Sequence, residues 1–124
     1  MTTEQGSEQE PQATPGAEDR KLVTLARATR ARARSAEGAA VRDQDGRTYA
    51  AATVALPSLQ VSALGVCVAM AIASGARSLE AAVVLGEAEA VGDQDLAVVR
   101  DFAGAGVPVH LADPRGALRG TTTS

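Results

Sequence analysis

One cysteine and one histidine are all the thiol and imidazole chemistry that the 124-residue sequence offers. Cys67 lies mid-run among Gly65, Val66, Val68 and Ala69, so no intrachain disulfide and no CxxC metal site can form, and it reads as a small core residue. His110 sits in Val107-Pro108-Val109-His110-Leu111, a strand-like run in which a partly buried, hydrogen-bonded histidine is expected. The remaining candidate is cationic. Arg20, Arg27 and Arg34 recur every seven residues, and Arg30 and Arg32 extend the row. A nucleic-acid surface would pair such a row with rings for base stacking, but aromatic residues are 2% of the chain and no RNP, KH or zinc-finger pattern accompanies it. A solvated helix face is the expectation, and nucleic acid is an unlikely partner.

The elements that would position these groups fit one domain. A 12.5 kDa chain buries roughly two-thirds of the surface its unfolded form exposes. With 45% hydrophobic residues and almost no rings, its core must be Ala, Val, Leu and Ile in closely packed layers. Residues 1–17 contain no large apolar residue after Met1, and a disordered N-terminal tail is expected there. The 15 acidic residues include Glu4, Glu8 and Glu10 of this stretch, which leaves 12 acids against 12 bases in the rest. A near-neutral domain is not built for bulk phosphate binding. The N-terminus lacks the apolar core of a secretory signal, and the most apolar segment is too short and too rich in Ala and Ser for a membrane. A cytoplasmic protein is expected.

Glu18 and Asp19 open a helix with an acidic first turn, and Leu22, Leu25, Ala26, Thr29 and Ala33 share one face of it. Gly38 to Asp43 and Thr48 to Val54 flank Gln44-Asp45-Gly46, the signature of a β-hairpin. The run Ser58 to Ser74 follows Pro57. It is apolar on nearly every side, which predicts a helix capped by Ser58, ended by Gly75 and covered twice. Leu79 to Leu85 suits a strand buried on both faces, Asp93 or Asp95 can cap a helix to about Ala103, and Val107 to Leu111 is the next strand. The two strands should be parallel across a right-handed crossover. Asp113 to Gly116 is turn chemistry, Ala117 to Thr122 can return as an edge strand, and residues 121–124 are expected to fray. The fold class is α/β: a three-layer α/β/α sandwich with a mixed sheet of about five strands, over residues 18–120.

In this order the elements resemble the cytidine deaminase family. The matching residues are Glu37-Gly38-Ala39-Ala40-Val41 and Asp43-Gln44-Asp45-Gly46-Arg47 for the family's V-G-A-A-L…D-x-D-G hairpin, then Phe102-Ala103 and Val107 to Asp113 for its F-A…T-P-V-Y-L-A-N. Thr53 to Leu56, Ser62-Ala63-Leu64 and Glu80 to Val84 occupy the places of the family's E-N-A-S, [CH]-A-E and K-A-I-A-I stretches. The resemblance implies hydrolytic deamination, in which zinc held by one His or Cys and two Cys ionises a water and a Glu shuttles the proton. By position, this chain puts Ser62 at the first ligand, Leu64 at the shuttle, Gly92 and Asp95 at the two cysteines, and Val54 at about the ribose-gripping Asn. Ser62, Gly92 and Asp95 supply no thiolate or imidazole, and Leu64 cannot accept a proton.

The expectation is therefore a cytidine deaminase-like protein with no catalytic, cofactor-binding or metal residues and no cofactor, acting as a structural or interaction module. Two alternatives stand beside it: an active nucleoside deaminase with a non-standard metal site, for example Asp93 and Asp95 with His110, and a small RNA- or nucleotide-binding module using Arg20, Arg27 and Arg34. A homo-oligomer, dimer or tetramer, is expected through Ser58 to Ser74. Val61, Leu64, Val68 and Ile72 would form its residual apolar face, and Gly65, Ala69 and Ala73 would allow close approach.

Overall fold

The computed structural model describes residues 16–124. The tail expected over residues 1–17 lies outside the described residues as far as residue 15. Gly16 and Ala17 already belong to the first helix, as its N-cap and first residue. Helix α1 (Ala17–Ala33) is followed by strands β1 (Glu37–Asp43), β2 (Thr48–Ala52), β3 (Val54–Leu56) and β4 (Leu59–Val61). Helix α2 (Ala63–Ala73), β5 (Leu79–Gly86), α3 (Asp93–Ala103), β6 (Pro108–Ala112) and β7 (Leu118–Thr123) complete the chain.

Five strands form one mixed sheet in the order β2-β1-β5-β6-β7, and β3 and β4 form a separate hairpin. Only β5 and β6 run parallel, as expected for a βαβ crossover, with Val83 opposite His110. Alternate side chains go to opposite faces. Ala40, Ala81, Val83, Leu85 and Ala112 meet Leu22 and Ala26 of α1, while Ala39, Val41, Ala82, Val84, Val109 and Leu111 meet α2 and α3. The result is the three-layer α/β/α sandwich.

Helix α1 lies unusually close to the sheet. A Cβ built on Gly38 would stand 2.1 Å from the Ala26 carbonyl oxygen, so only glycine fits beneath this turn of the helix. Of the α1 face read from the sequence, only Leu22 and Ala26 are buried, and Leu25 is exposed. The expected hairpin forms around Gly46, whose φ of +84° suits glycine. Asp43 braces it: Oδ1 accepts from the amides of Asp45 and Arg47 at 2.9 and 3.0 Å, and Oδ2 from the Tyr49 hydroxyl at 2.9 Å.

Two boundaries differ from the sequence reading. The apolar segment is not helical from Ser58: Pro57 and Ser58 make the turn that folds Leu59–Val61 back on Val54–Leu56, and the helix starts at Ala63, capped by Ser62. The end of the chain, expected to fray, is paired in the structure. Thr121 to Thr123 pair with β6. Ser124 closes the edge, its amide donating to Val107 O at 3.0 Å and its hydroxyl to Gly104 O at 2.7 Å. No helix among the described residues is long and apolar enough to cross a membrane.

Candidate functional site

The N-termini of α2 and α3 converge, and Ser62, Gly92 and Asp95 lie at this junction. Ser62 has extended backbone and is the N-cap of α2; its Oγ accepts from the Gly65 amide at 3.0 Å, satisfying one of the donors that a helix start leaves free. The same hydroxyl donates its proton to Asp95 Oδ1 at 2.6 Å. Asp95 is in the first turn of α3, where a carboxylate is favoured by the helix dipole, and is 8% exposed. Gly92 caps α3 with no side chain, and the space a Cβ would occupy there is open. Leu64 is wholly buried in the apolar cluster between helices and sheet. Val54 begins the outlying β3.

Zinc does not fit this donor set. Serine is a poor ligand, its hydroxyl proton is committed to Asp95, Gly92 offers nothing, and Leu64 cannot move a proton. Among the described residues no group of three or more His, Cys, Asp or Glu could hold a metal ion. The alternative set of Asp93, Asp95 and His110 is not brought together. His110 points to the α1 side of the sheet, bonded to Asp19 of α1, whereas Asp95 faces α2 on the other side. Cys67 is buried, its thiol pushed up to about 12 by desolvation, so it supplies no thiolate.

His110 instead belongs to a cluster that the sequence reading missed. Its Nε2 lies 2.8 Å from Asp19 Oδ2 and its Nδ1 2.7 Å from Thr121 Oγ1. Since a carboxylate only accepts, Nε2 carries the hydrogen toward Asp19, while the rotatable Thr121 hydroxyl can serve Nδ1 as donor or acceptor. Arg42 reaches Asp19 Oδ1 through NH1 at 2.9 Å, an ion pair too bent to count as a hydrogen bond, and Glu80 through Nε at 3.0 Å. Burial alone would raise the Asp19 carboxyl, but the hydrogen bond from His110 and the adjacent charge of Arg42 outweigh it and hold it below the usual carboxylate range. The one available signal was a lone histidine in an apolar strand, which must find a polar partner; nothing local says that the partner is 91 residues away.

The basic row is solvated as expected, with Arg20, Arg27 and Arg34 all exposed. The only two rings, Tyr49 and Phe102, pack against the cluster on the opposite side of the sheet. The apolar helix is covered on one side only. Leu64 and Val68 are buried within the subunit, so the residual face differs from the one read in the sequence. It consists of Met70 and Ile72, with exposed Ala69 and Ala73, and Leu56 and Leu59 are exposed on the β3–β4 hairpin.

The family described as cytidine deaminase-like has a sequence model that matches residues 15–116. Among solved structures, cytidine deaminase from Burkholderia pseudomallei superimposes with a TM-score of 0.73 at 24% identity, over 83% of this chain and 90% of that one. The cytidine deaminase of Mycobacterium leprae gives 0.66 at 21% identity, over 88% and 94%, and that of Mycobacterium tuberculosis 0.65 at 21%, over 85% and 91%. At these identities the likeness is one of fold. Comparison with curated proteins returns no match.

Proposed function

The chain belongs to the cytidine deaminase-like family, and from that premise we propose that it has kept the fold and lost the reaction, serving as a zinc-free structural or interaction module. The observation that carries this reading is the junction of α2 and α3. Its two polar residues, Ser62 and Asp95, are bonded to each other at 2.6 Å. Leu64, which stands where the resemblance places the proton shuttle, is wholly buried. Deamination needs an activated water and a base beside it; Leu64 is no base at the shuttle position, and the one carboxylate of the set, Asp95, is engaged by the Ser62 hydroxyl. The test is elemental analysis of the purified protein with a cytidine and deoxycytidine turnover assay. Sub-stoichiometric zinc and no turnover are expected; chelator-sensitive activity sinks the proposal.

The module works as a homo-oligomer assembled through α2. Support comes from the apolar surface that a single chain leaves open, where Ile72 is 52% exposed, Leu56 56% and Leu59 52%. Small residues Ala69 and Ala73 on the same helix allow a second copy to approach closely, and an obligate interface of this type buries about 2,000 Å² or more. Light scattering at micromolar concentration should give a multiple of 12.5 kDa. Ile72→Glu should reduce it to the monomer without touching the subunit core, and a monomeric mass for the unaltered chain refutes the assembly.

A further inference from the structure

Ser62 and Asp95 are 33 residues apart and each is fixed by its own helix, Ser62 as N-cap of α2 and Asp95 in the first turn of α3. A serine hydroxyl has one proton to give and lone pairs to receive. Here both capacities are used, with Gly65 N–H donating to Oγ and Oγ donating to Asp95. The acceptor is a carboxylate in a nearly closed setting, which makes this a short, charge-assisted bond, and the positive ends of two helix dipoles surround it. Further along, Val68 and Ile72 of α2 and Val98, Asp101 and Phe102 of α3 line an open groove of about 310 Å³. Helix α3 otherwise rests on the apolar cluster through Val99, with Leu96 and Phe102 half-buried.

We propose that the Ser62–Asp95 bond is a latch that fastens α3 to α2 and closes their N-terminal junction, so that this place in the fold is a joint within the protein and not a binding site. The proposal rests on the zinc-free reading above, and it adds what holds the junction once metal does not. It also gives Ser62 a double duty: without Asp95 to fix its rotamer, the hydroxyl caps Gly65 less well, so loss of the α3 partner is felt in the first turn of α2.

The latch is tested with the full chain in metal-free buffer, with and without chelator, using Ser62→Ala, Asp95→Ala and the double variant. Each single change should raise the unfolding equilibrium constant on the order of tenfold or more, as for a hydrogen bond to a charged group. The double variant should be at least about threefold more stable than the two effects combined predict, because the bond can be lost only once. Amide exchange supplies the local readout. In Asp95→Ala the Gly65 amide should exchange at least about tenfold faster relative to the amides of β1 and β5, which report only global opening. Ser62→Thr, which retains a hydroxyl, should restore both signals and keeps the test alive if an alanine variant does not fold. Additive single effects with unchanged Gly65 exchange overturn the latch alone. A chelator that by itself loosens Gly65 in the unaltered protein shows that metal holds the junction, and overturns the zinc-free reading with it.

Discussion

On the α1 face of the sheet the seal is ionic: Asp19 stands between Arg42 and His110, Arg42 continues to Glu80, and Thr121 completes the shell of the histidine. On the α2/α3 face the packing is dry, with Ala39, Val41, Leu64, Val84 and Val109 in one apolar cluster and the Ser62–Asp95 bond at its margin. The contrast follows from what each helix brings. Helix α1 carries seven charged residues among its 17 and buries just Leu22 and Ala26, so it needs directional bonds to stay seated. Helix α2 has no charged residue, holds itself by area, and has apolar surface left over. Polar networks give a seating its register, and apolar burial gives it strength.

The comparison breaks most visibly at the dry face. Leu64→Ala should cost about 2–5 kcal/mol in denaturant unfolding, since a fully buried leucine leaves a cavity its neighbours only partly fill; a loss under 1 kcal/mol contradicts the packing described. On the ionic face the steric equivalent is Gly38→Val. It must push α1 away from β1 and should cost about 1–3 kcal/mol, with exchange rising first in α1. Asp19→Ala leaves His110 Nε2 without its acceptor and Arg42 with Glu80 alone as counter-charge, for a loss of about 1–3 kcal/mol. Its expected pattern is faster exchange in α1 with α2 unchanged, and uniform loosening of both helices would show that the two faces are not separable.

Acid sharpens the same contrast more gently. The Asp19 carboxyl is depressed in the folded state, so the stability it contributes is full above the ordinary carboxylate value of about 3.9 and is lost as pH falls through the lower folded value. Asp43 and Asp113 are held low as well, Asp43 by hydrogen bonds from Tyr49 and two backbone amides that outweigh its burial, Asp113 chiefly by the Ala117 amide. The measurement is therefore a difference: the gap in stability between the unaltered chain and Asp19→Asn should shrink on going from pH 6 to pH 3, and a constant gap refutes the assignment. The smallest effect is expected from changing Arg20, Arg27 and Arg34 together to Gln. These side chains are exposed, and each change should stay within about 0.5 kcal/mol. Salt-sensitive RNA binding that vanishes in this variant would give the basic row a function that its solvation does not.

Much of this protein was legible along the chain because the signals are local. The Asp-Gly hairpin, Gly75 past the end of α2, the apolar run of β5 and the acidic start of α3 each declare themselves within a few residues, and together they order the sandwich. The absence of thiol chemistry at Ser62, Gly92 and Asp95 is equally plain, for no fold can make a thiolate from these residues. What the sequence could not assign were partners. The start of α2 depended on whether Leu59 to Val61 would find a strand to pair with, and an apolar run fits helix and hairpin alike until that pairing exists. The acceptor of His110, the acid behind Ser62 and the carbonyl above Gly38 are all remote in sequence. They are set by sheet register, the β5–β6 crossover and the depth at which α1 lies, and these bring the groups to within about 3 Å only when the whole chain has closed.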